Sequence, residues 1–580
     1  MNSINSIILH DNLTKEWLCF EKPIKVYEVY DKYLLIETLS EIENIVHNDD
    51  LYAAGFLSYE AASGINPALV TQSPSNFPLC WFGIYESPSV VNPPETNNVC
   101  QNLAWQASNS QEKYFSVINR IREQIREGET YQVNYSYRLR SSMSCSAWDI
   151  FANMVLAQGH GYSAYVELAD WSICSASPEI FFSLSNQEIY CRPMKGTVSR
   201  GLTFASDKEN RSWLANSSKD RAENLMILDM VRNDLGQIAS SGTVKVDSLF
   251  DMEKYPTVWQ MTSNVHCHTD SGLTEIMQSL YPAASITGAP KVHTMEIIKE
   301  LECSPRNIYT GTIGYYSPAR RAQFNVAIRT LLVDKRNQQA EYGIGSGIVW
   351  DSNGKNEFQE TQDKASVLNF PYQKFSLLES LFWDPDEGFW LLSEHFIRIK
   401  DSAEYFSRPY DEEKLIKQLN TFVTELDSVA HKIRVLVDQN GEIEIQAKSI
   451  DKKSSPLSIG LAKQSINSNN IFLYHKTTNR QIYDDVLVGM SAYDDVLLWN
   501  SNNEVTETST SNFVAEIEGD LYTPPVTCGL LAGTYRAQLL REGKIKERVI
   551  QIDEIKDCTK YYLINSVQGW QEVKSLEIRC

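Results

Sequence analysis

The stretch Glu129–Arg140, ETYQVNYSYRLR, places Tyr131, Val133, Tyr135, Tyr137 and Leu139 on one face of a strand and Gln132, Asn134, Ser136 and Arg138 on the other, because strand side chains alternate. A face that is polar along its whole length is either an exposed sheet face or a solvated active-site wall. Farther on, Ser217–Gln237, SSKDRAENLMILDMVRNDLGQ, changes period. It predicts a helix capped by Ser217, apolar almost all round and therefore buried. Glu223, Asp229, Arg232 and Asp234 in such a helix are costly unless paired or bound to a metal. A second helix, NEFQETQDKASVLN, follows the Asp351–Gly354 turn and sets Glu357, Glu360, Thr361 and Lys364 on one face. Surface salt bridges explain that face. So does Mg²⁺, a hard cation that takes one or two carboxylates and keeps oxygen positions for substrate. Strand and helix periods mixed in this way predict an α+β fold.

The chain has 580 residues, 42% of them hydrophobic and 11% aromatic. Single cores stop growing near about 250–300 residues, so two or more domains are expected. A boundary is predicted around Leu368–Lys374, where the helix-like run Asn356–Val367 ends in Asn369-Phe370-Pro371 and a strand-like pattern resumes at Phe375. The predicted domains are 1–368 and 372–580. With 53 Lys plus Arg against 74 Asp plus Glu, the formal charge is 53 − 74 = −21. No basic block offsets it, which argues against nucleic acid as a partner but not against a local cationic pocket for a small anion. The eleven cysteines are scattered without a CxxC pair, as expected of reduced thiols in a cytoplasmic protein. The amino terminus carries no signal-peptide core and no run reaches about 18 apolar residues, so no membrane association is expected.

SASPEIFFSLSNQEIYCRPMKGT (Ser175–Thr197) predicts an antiparallel hairpin. With its turn centred on Gln187, Glu179 and Lys195 are cross-strand partners. They form either an ion pair or an acid and an amine facing one substrate. SITGAPK (Ser285–Lys291), the strand FNVAIRT (Phe324–Thr330) and GIGSGIV (Gly343–Val349) follow. The last lets a backbone approach an anion closely, without being a phosphate-loop motif. In the second half, KIRVLVDQNGEIEIQAK predicts a two-residue hairpin at Asn440-Gly441. LYHKTTNRQIYDD (Leu473–Asp485) places Lys476 after an apolar strand.

Taken in order, SPE (Ser177–Glu179), PMKGT (Pro193–Thr197), AENLMILDMVRNDLG (Ala222–Gly236), SITGAPK, FNVAIRT, GIGSGIV and EFQETQDK (Glu357–Lys364) resemble the chorismate-utilising enzymes. The lead-ins GFLSYEAA (Gly55–Ala62) and WFGIYE (Trp81–Glu86) resemble the aminodeoxychorismate synthase large component. The resemblance implies a large β-sandwich-with-helices domain like anthranilate synthase component I. It implies Glu223 and Glu360 as Mg²⁺ ligands, with Glu357 nearby, the metal holding the ring carboxylate of chorismate. Arg329, Lys364, Tyr309 and the backbone of Gly345, Ser346 and Gly347 would bind the substrate carboxylates, with Thr197, Thr287 and Gly288 lining the site. Relatives that add water carry a lysine where this chain has Gln132, so ammonia is the implied nucleophile. Lys195 stands where anthranilate synthases usually have alanine, which implies attack of its amine at ring C2 while Glu179 protonates the departing C4 hydroxyl. Gln260 departs from a histidine common in the family. No Gly-x-Cys-x-Gly turn appears, so a separate glutaminase subunit is implied as the ammonia source.

SEHFIRIKDSAEYF (Ser393–Phe406), HKTTNRQIYD (His475–Asp484), EVTETSTSNF (Glu504–Phe513), GLLAGTYR (Gly529–Arg536) and INSVQGW (Ile564–Trp570) resemble the fold-type IV pyridoxal-phosphate enzymes, and among them the aminodeoxychorismate lyases. The resemblance implies a two-subdomain α/β domain in which Lys476 holds pyridoxal phosphate covalently and later moves a proton. Glu507 would pair with the pyridine nitrogen, while Arg398 and Thr534 bind the phosphate. Tyr535 departs from the family's usual residue. Both halves together imply 4-aminobenzoate formation for folate synthesis. Two rivals stand beside that reading. One is an anthranilate synthase component I fused to a branched-chain or D-amino-acid aminotransferase-like domain; the other is a second half that acts as a non-catalytic docking scaffold.

Overall fold

The computed structural model describes residues 3–96, 98, 103–369, 374–450 and 456–577. Phe370 and Pro371 of the expected boundary lie outside them. The chain divides into Met1–Arg200 with Asn210–Tyr372, and Gly201–Glu209 with Gln373–Cys580. Each unit mixes helices and sheets, as an α+β reading requires. Among the described residues no helix is long and apolar enough to cross a membrane, and no disulfide joins the cysteines.

Two ten-stranded sheets make the first unit. Ile7, Leu9, Val166 and Ile173 of one meet Phe56, Trp81, Ile313 and Tyr315 of the other in a single apolar layer. That layer makes the pair a β-sandwich. Helices Gln111–Arg126, Ala147–Gln158 and Lys291–Leu301 cover the outer face of the first sheet, through Ile118, Phe151 and Ile297 among others. Leu35–Asn48 and Leu273–Leu280 cover the second.

The strand Gln132–Ser142 pairs with Gln339–Ile348 from Val133 to Ser142. Its polar face is interior, with Gln132 and Arg138 no more than 1% exposed, so the exposed-face alternative falls. Below Asn134, Ser136 donates to Glu302 from its backbone N (2.9 Å) and Oγ (2.7 Å). Arg306 lies 2.7 Å and Arg138 3.6 Å from the same carboxylate. Burial opposes the ionisation of Glu302, but the two guanidiniums hold it below the usual carboxylate range. Arg306 also donates to the Asn134 carbonyl at 2.7 Å, which fixes the strand where the site will stand.

Four expectations need correction. The Ser217-capped helix, Ser218–Gly236, is buried along one side only. Leu225 is 45% exposed, and Asp229 and Arg232 form a solvent-facing pair at 2.6 Å. Only Glu223 and Asp234 turn inward, because the helix packs by one face on the strands Met194–Ser199 and Val258–His268. The Ser175–Thr197 hairpin closes between Asn186 and Gln187, with Ser185 opposite Glu188. It ends at Cys191, and Lys195 belongs to the next strand, paired with Val258–His268, so Glu179 and Lys195 are not cross-strand partners. FNVAIRT is not one strand, since Arg321–Asn325 lies in one sheet and Thr330–Asp334 in the other. The crossing between them puts Arg329 in the left-handed region at φ 51°. The Asn440-Gly441 turn is a five-residue loop, because the Asp438 carboxylate accepts from the Asn440 and Glu442 N–H groups (both 2.8 Å) and ends the first strand at Val437.

The second unit has a four-stranded antiparallel sheet backed by helices Leu392–Tyr405 and Glu412–Val423, with Leu381, Ile399, Leu415 and Ile433 in its core. An eight-stranded mixed sheet has a separate core of Ile459, Leu497, Phe513 and Leu563. Two cores in one unit correspond to the two subdomains that the family resemblance implies.

Candidate active sites

In the first unit a cavity of about 150 Å³ is walled by both sheets and two helices. Lys195 enters from Met194–Ser199 and Glu179 from the residue before Ile180–Ser185. Burial lowers the Lys195 ammonium below its ordinary value against the pull of Glu223. Burial likewise pushes the Glu179 and Glu223 carboxyls up to about 7. Burial therefore disfavours the charged form of both the amine and the acid, the direction required for nucleophilic attack with leaving-group protonation.

The helix Gly354–Ala365 is capped by the Asn353 side chain and supplies Glu357, Glu360 and Lys364. Burial opposes the ionisation of Glu360, yet Lys364 at 2.6 Å holds it below its usual range. Glu357 accepts from Ser352 at 2.7 Å and is raised by burial and by Glu360. Lys364 donates to the Gly345 carbonyl at 2.9 Å, and Arg329 to the Lys364 carbonyl at 2.9 Å, so strand, helix and crossing are tied together around the cavity. Tyr309, Gly345 and Gly347 complete the wall. Thr197 also lines it, its Oγ donating to Gln260 Oε1 at 2.9 Å while the Gln260 amide donates to the Gly196 carbonyl at 2.9 Å. A neutral amide thus fixes the turn after Lys195.

Two expected residues, Thr287 and Gly288, are not on this wall. The Ser346 hydroxyl points away to the Tyr114 hydroxyl at 2.9 Å, as strand alternation demands between Gly345 and Gly347, so only its backbone is left for the contact expected of it. Thr287 turns its hydroxyl back to the Ala284 carbonyl at 3.2 Å, and Gly288 pairs with Val133. The neighbouring Ser285 and Ile286 line the cavity in their place. Asn134, Lys219 and Asp220 line it as well and were missed. The polar strand face signalled Asn134, and the i, i+4 spacing to Glu223, 3.8 Å away, signalled Lys219.

A Cβ on Gly347 would stand 2.7 Å from Gln132 Nε2 and 2.9 Å from Lys195 Nζ. Gly347→Ala is therefore expected to displace the amine and lower activity at this cavity by about 100-fold. Both polar atoms of the buried Gln132 amide lack a partner, so the side chain can yield and the melting temperature should scarcely change. Kinetics beside thermal melts check both parts.

Among the described residues no three metal-ligating side chains gather into a ready-made cage. What the cavity offers is oxygen donors on two helices, Glu223 with Glu357 and Glu360, whose mutual repulsion a hard cation would relieve. That suits Mg²⁺ held by one or two carboxylates and by substrate oxygens.

A second cavity, of about 530 Å³, lies within the second unit. Burial and the Arg398 charge lower Lys476 to about 8. Glu507, on Val505–Thr508, accepts from Tyr483 Oη (2.8 Å), Asn512 Nδ2 (3.0 Å) and Leu531 N (3.1 Å). Burial pushes its carboxyl up to about 7. Thr534 opens the helix Thr534–Arg541 behind Gly533. Arg398 is clamped by Glu379 at 2.8 and 2.6 Å, and Glu379 also meets His395 Nδ1 at 2.7 Å. Burial opposes the Glu379 charge, but Arg398 and His395 hold that carboxyl far below its usual range. Tyr535 packs on Trp390, ring centroids 4.7 Å apart, and is not part of the cavity wall. A buried amine, a buried carboxylate, and a helix N-terminus with a hydroxyl and a guanidinium fit the aldehyde, the pyridine nitrogen and the phosphate of pyridoxal phosphate in turn.

Residues 6–369 match the chorismate binding enzyme family and residues 376–576 the class IV amino-transferases. Aminodeoxychorismate synthase component 1 of Salmonella typhimurium is 40% identical over 272 residues, which are 47% of this chain and 60% of that protein. Its Escherichia coli counterpart is 40% identical over 266 residues, 46% of this chain and 58% of that protein. The chain thus matches somewhat under two thirds of the length of these relatives. In structure, anthranilate synthase component I of Streptococcus pneumoniae aligns with a TM-score of 0.53 at 23% identity, over 64% of this chain and 94% of that one, and shares the fold. The sandwich, the carboxylate helices and a match running through most of the first unit agree, and the chain belongs to the chorismate binding enzymes.

Proposed function

We propose that the chain converts chorismate to 4-aminobenzoate in two steps, amination at ring C4 in the first cavity and loss of pyruvate in the second. The observation that carries the first step is the lysine-and-acid pair, Lys195 with a lowered pKa and Glu179 with a raised one, lining one cavity. Arg329 and Lys364 supply positive charge for two carboxylates inside an acidic protein. Glu223 and Glu360, with Glu357 behind them, are the residues to hold Mg²⁺, which would neutralise the ring carboxylate. The Lys195 amine adds at C2 as the C4–O bond breaks, and Glu179 gives its proton to the departing hydroxyl, which leaves as water. Ammonia then adds at C4 as the bond to Lys195 breaks, and the lysine recovers its amine. The relatives are named component 1, in keeping with ammonia drawn from a separate glutaminase.

Pyridoxal phosphate held in the second cavity would supply an electron sink for the carbanion chemistry. Glu507 keeps a proton at the pyridine nitrogen, a role suited to a carboxylate fixed by three donors. Arg398, Thr534 and the first turn of its helix would hold the phosphate. Lys476 takes the proton from C4 of the ring, the C3–O bond breaks as the ring becomes aromatic, and the departing enolpyruvate takes up a proton at its methylene carbon to become pyruvate.

Incubating the chain with chorismate, ammonium, Mg²⁺ and pyridoxal phosphate is expected to give 4-aminobenzoate and pyruvate in equal amounts. Anthranilate as the product would defeat the first assignment. Amino-group transfer to 2-oxo acids without pyruvate release would defeat the second.

A further inference from the structure

The second cavity holds more positive charge than its cofactor uses. Arg398 and Lys476 are assigned to the phosphate and the aldehyde, and Glu507 to the ring nitrogen. Two further acids line the cavity, and backbone and hydroxyl donors already engage both. Asp495 accepts from Val496 N, Ser509 N, Ser509 Oγ and Thr510 Oγ1 at 2.6–3.1 Å, and Asp494 from Ser458 N at 2.9 Å. Lys432, Arg434 and Arg480 remain.

Lys432 and Arg434 are two apart on the strand His431–Val437, opposite Phe382 and Ser380 of the neighbouring strand, so both side chains rise from the same sheet face. Arg480 faces them from the turn after Lys476, its guanidinium donating to the Ser509 carbonyl at 2.5 Å and lying 4.6 Å over the Tyr483 ring. Among the described residues no carboxylate lies in ion-pair range of Lys432, Arg434 or Arg480. Lys432 is lowered by burial and then by Arg434, Arg480 and Lys448, all of the same sign. Like charges gathered on one cavity wall without a counter-ion are a standing cost. A ligand that brings the missing anions removes it.

We propose that Lys432, Arg434 and Arg480 form a receptor for two carboxylates, so that the second cavity selects dicarboxylate amines over monocarboxylate amino acids. This rests on reading the cavity as the pyruvate-releasing site and gives that reading its basis for specificity. Arg480, held by Ser509, and the Lys432–Arg434 pair on the facing strand each suit one carboxylate: the ring carboxylate, para to the reacting carbon, and the one carried on the neighbouring carbon by the departing pyruvate. A guanidinium binds a carboxylate through two parallel N–H groups, so Arg434 and Arg480 give direction where Lys432 gives charge alone.

The test uses 3-(carboxymethoxy)benzoate, an aromatic ring bearing one carboxylate directly and one through an ether, against 3-methoxybenzoate, which lacks the second. Calorimetric titration is done on the full chain loaded with pyridoxal phosphate and carrying Arg329→Ala, which weakens carboxylate binding in the first cavity. The dicarboxylate is expected to bind about tenfold or more tightly than the monocarboxylate. That preference should fall within twofold when Lys432→Gln and Arg434→Gln are added, with the cofactor absorbance unchanged and the melting temperature no lower, since the double variant removes mutually repelling charges. The single variant Arg434→Lys, which keeps the charge and loses the fork, should retain part of the preference. Equal binding of the two probes, or a preference that survives the double variant, overturns the receptor. The two readings fail separately. A dicarboxylate preference in a chain that releases no pyruvate from the aminated substrate keeps the receptor and removes the lyase. Pyruvate release with an unchanged KM in the double variant keeps the lyase and removes the receptor.

Discussion

Lys195→Ala is expected to reduce amination of chorismate by about 10⁴-fold or more while leaving chorismate affinity within a few-fold, because the variant loses the attacking atom and keeps Arg329 and Lys364. The pH profile carries the second half of this prediction. Lys195 attacks only as the neutral amine, whose fraction rises with pH, and the lowered pKa brings that rise toward neutrality. Glu179 donates only while protonated, and that fraction falls as pH climbs through about 7. The product of the two is a bell. Glu179→Gln should lose the falling limb and about 10²–10⁴-fold in rate. If Lys195 served only to neutralise Glu179, Lys195→Ala would leave a carboxyl that burial keeps protonated, and a near-normal rate at low pH. Full activity in that variant defeats the nucleophile.

The sequence told more about which residues meet than about how the chain brings them together. The carboxylate helices were legible because i, i+3, i+4 spacing and the Asn353 and Ser217 caps are local. The sandwich was legible through motif order. The Glu179–Lys195 encounter was expected for the wrong reason. A hairpin register is set by its turn, and here the chain leaves the hairpin after Cys191, so the two residues meet across a cavity instead of across a ladder. Arg329 and Ser285 depend on the passage from one sheet to the other and on an irregular turn, which no periodicity encodes. The polar face of Gln132–Ser142 was ambiguous because alternation says only that a face is polar. Its use became readable once Glu302 and Arg306 lay beneath it, since those groups come from 160 residues or more along the chain. In the second unit the motifs pointed to Lys476, Glu507, Arg398 and Thr534, which line one cavity, while Glu379 and the Lys432–Arg434 pair carried no motif. A charged residue alternating with Ile and Val in a strand looks like ordinary solvent exposure until the opposite wall is known.

Lys476→Ala should separate the two halves. It is expected to lose the cofactor's absorbance band near the visible edge and to release no pyruvate, while the amination product of the first cavity accumulates. Burial and the neighbouring Arg398 charge hold Lys476 near 8, so a useful neutral fraction exists at neutral pH to capture the cofactor, whereas an exposed lysine stays almost wholly charged there. Arg398 is itself held in place by two bonds from Glu379, so the charge that lowers Lys476 cannot swing away. Glu379→Gln should therefore weaken phosphate binding and, because the lysine remains, slow the second step without erasing the absorbance band. The two variants together discriminate catalysis from scaffolding. A docking scaffold predicts an unaltered spectrum and an unchanged product ratio in Lys476→Ala. An active second cavity predicts that the spectrum vanishes, that the first product builds up, and that adding the full chain carrying Lys195→Ala restores 4-aminobenzoate from the accumulated amine.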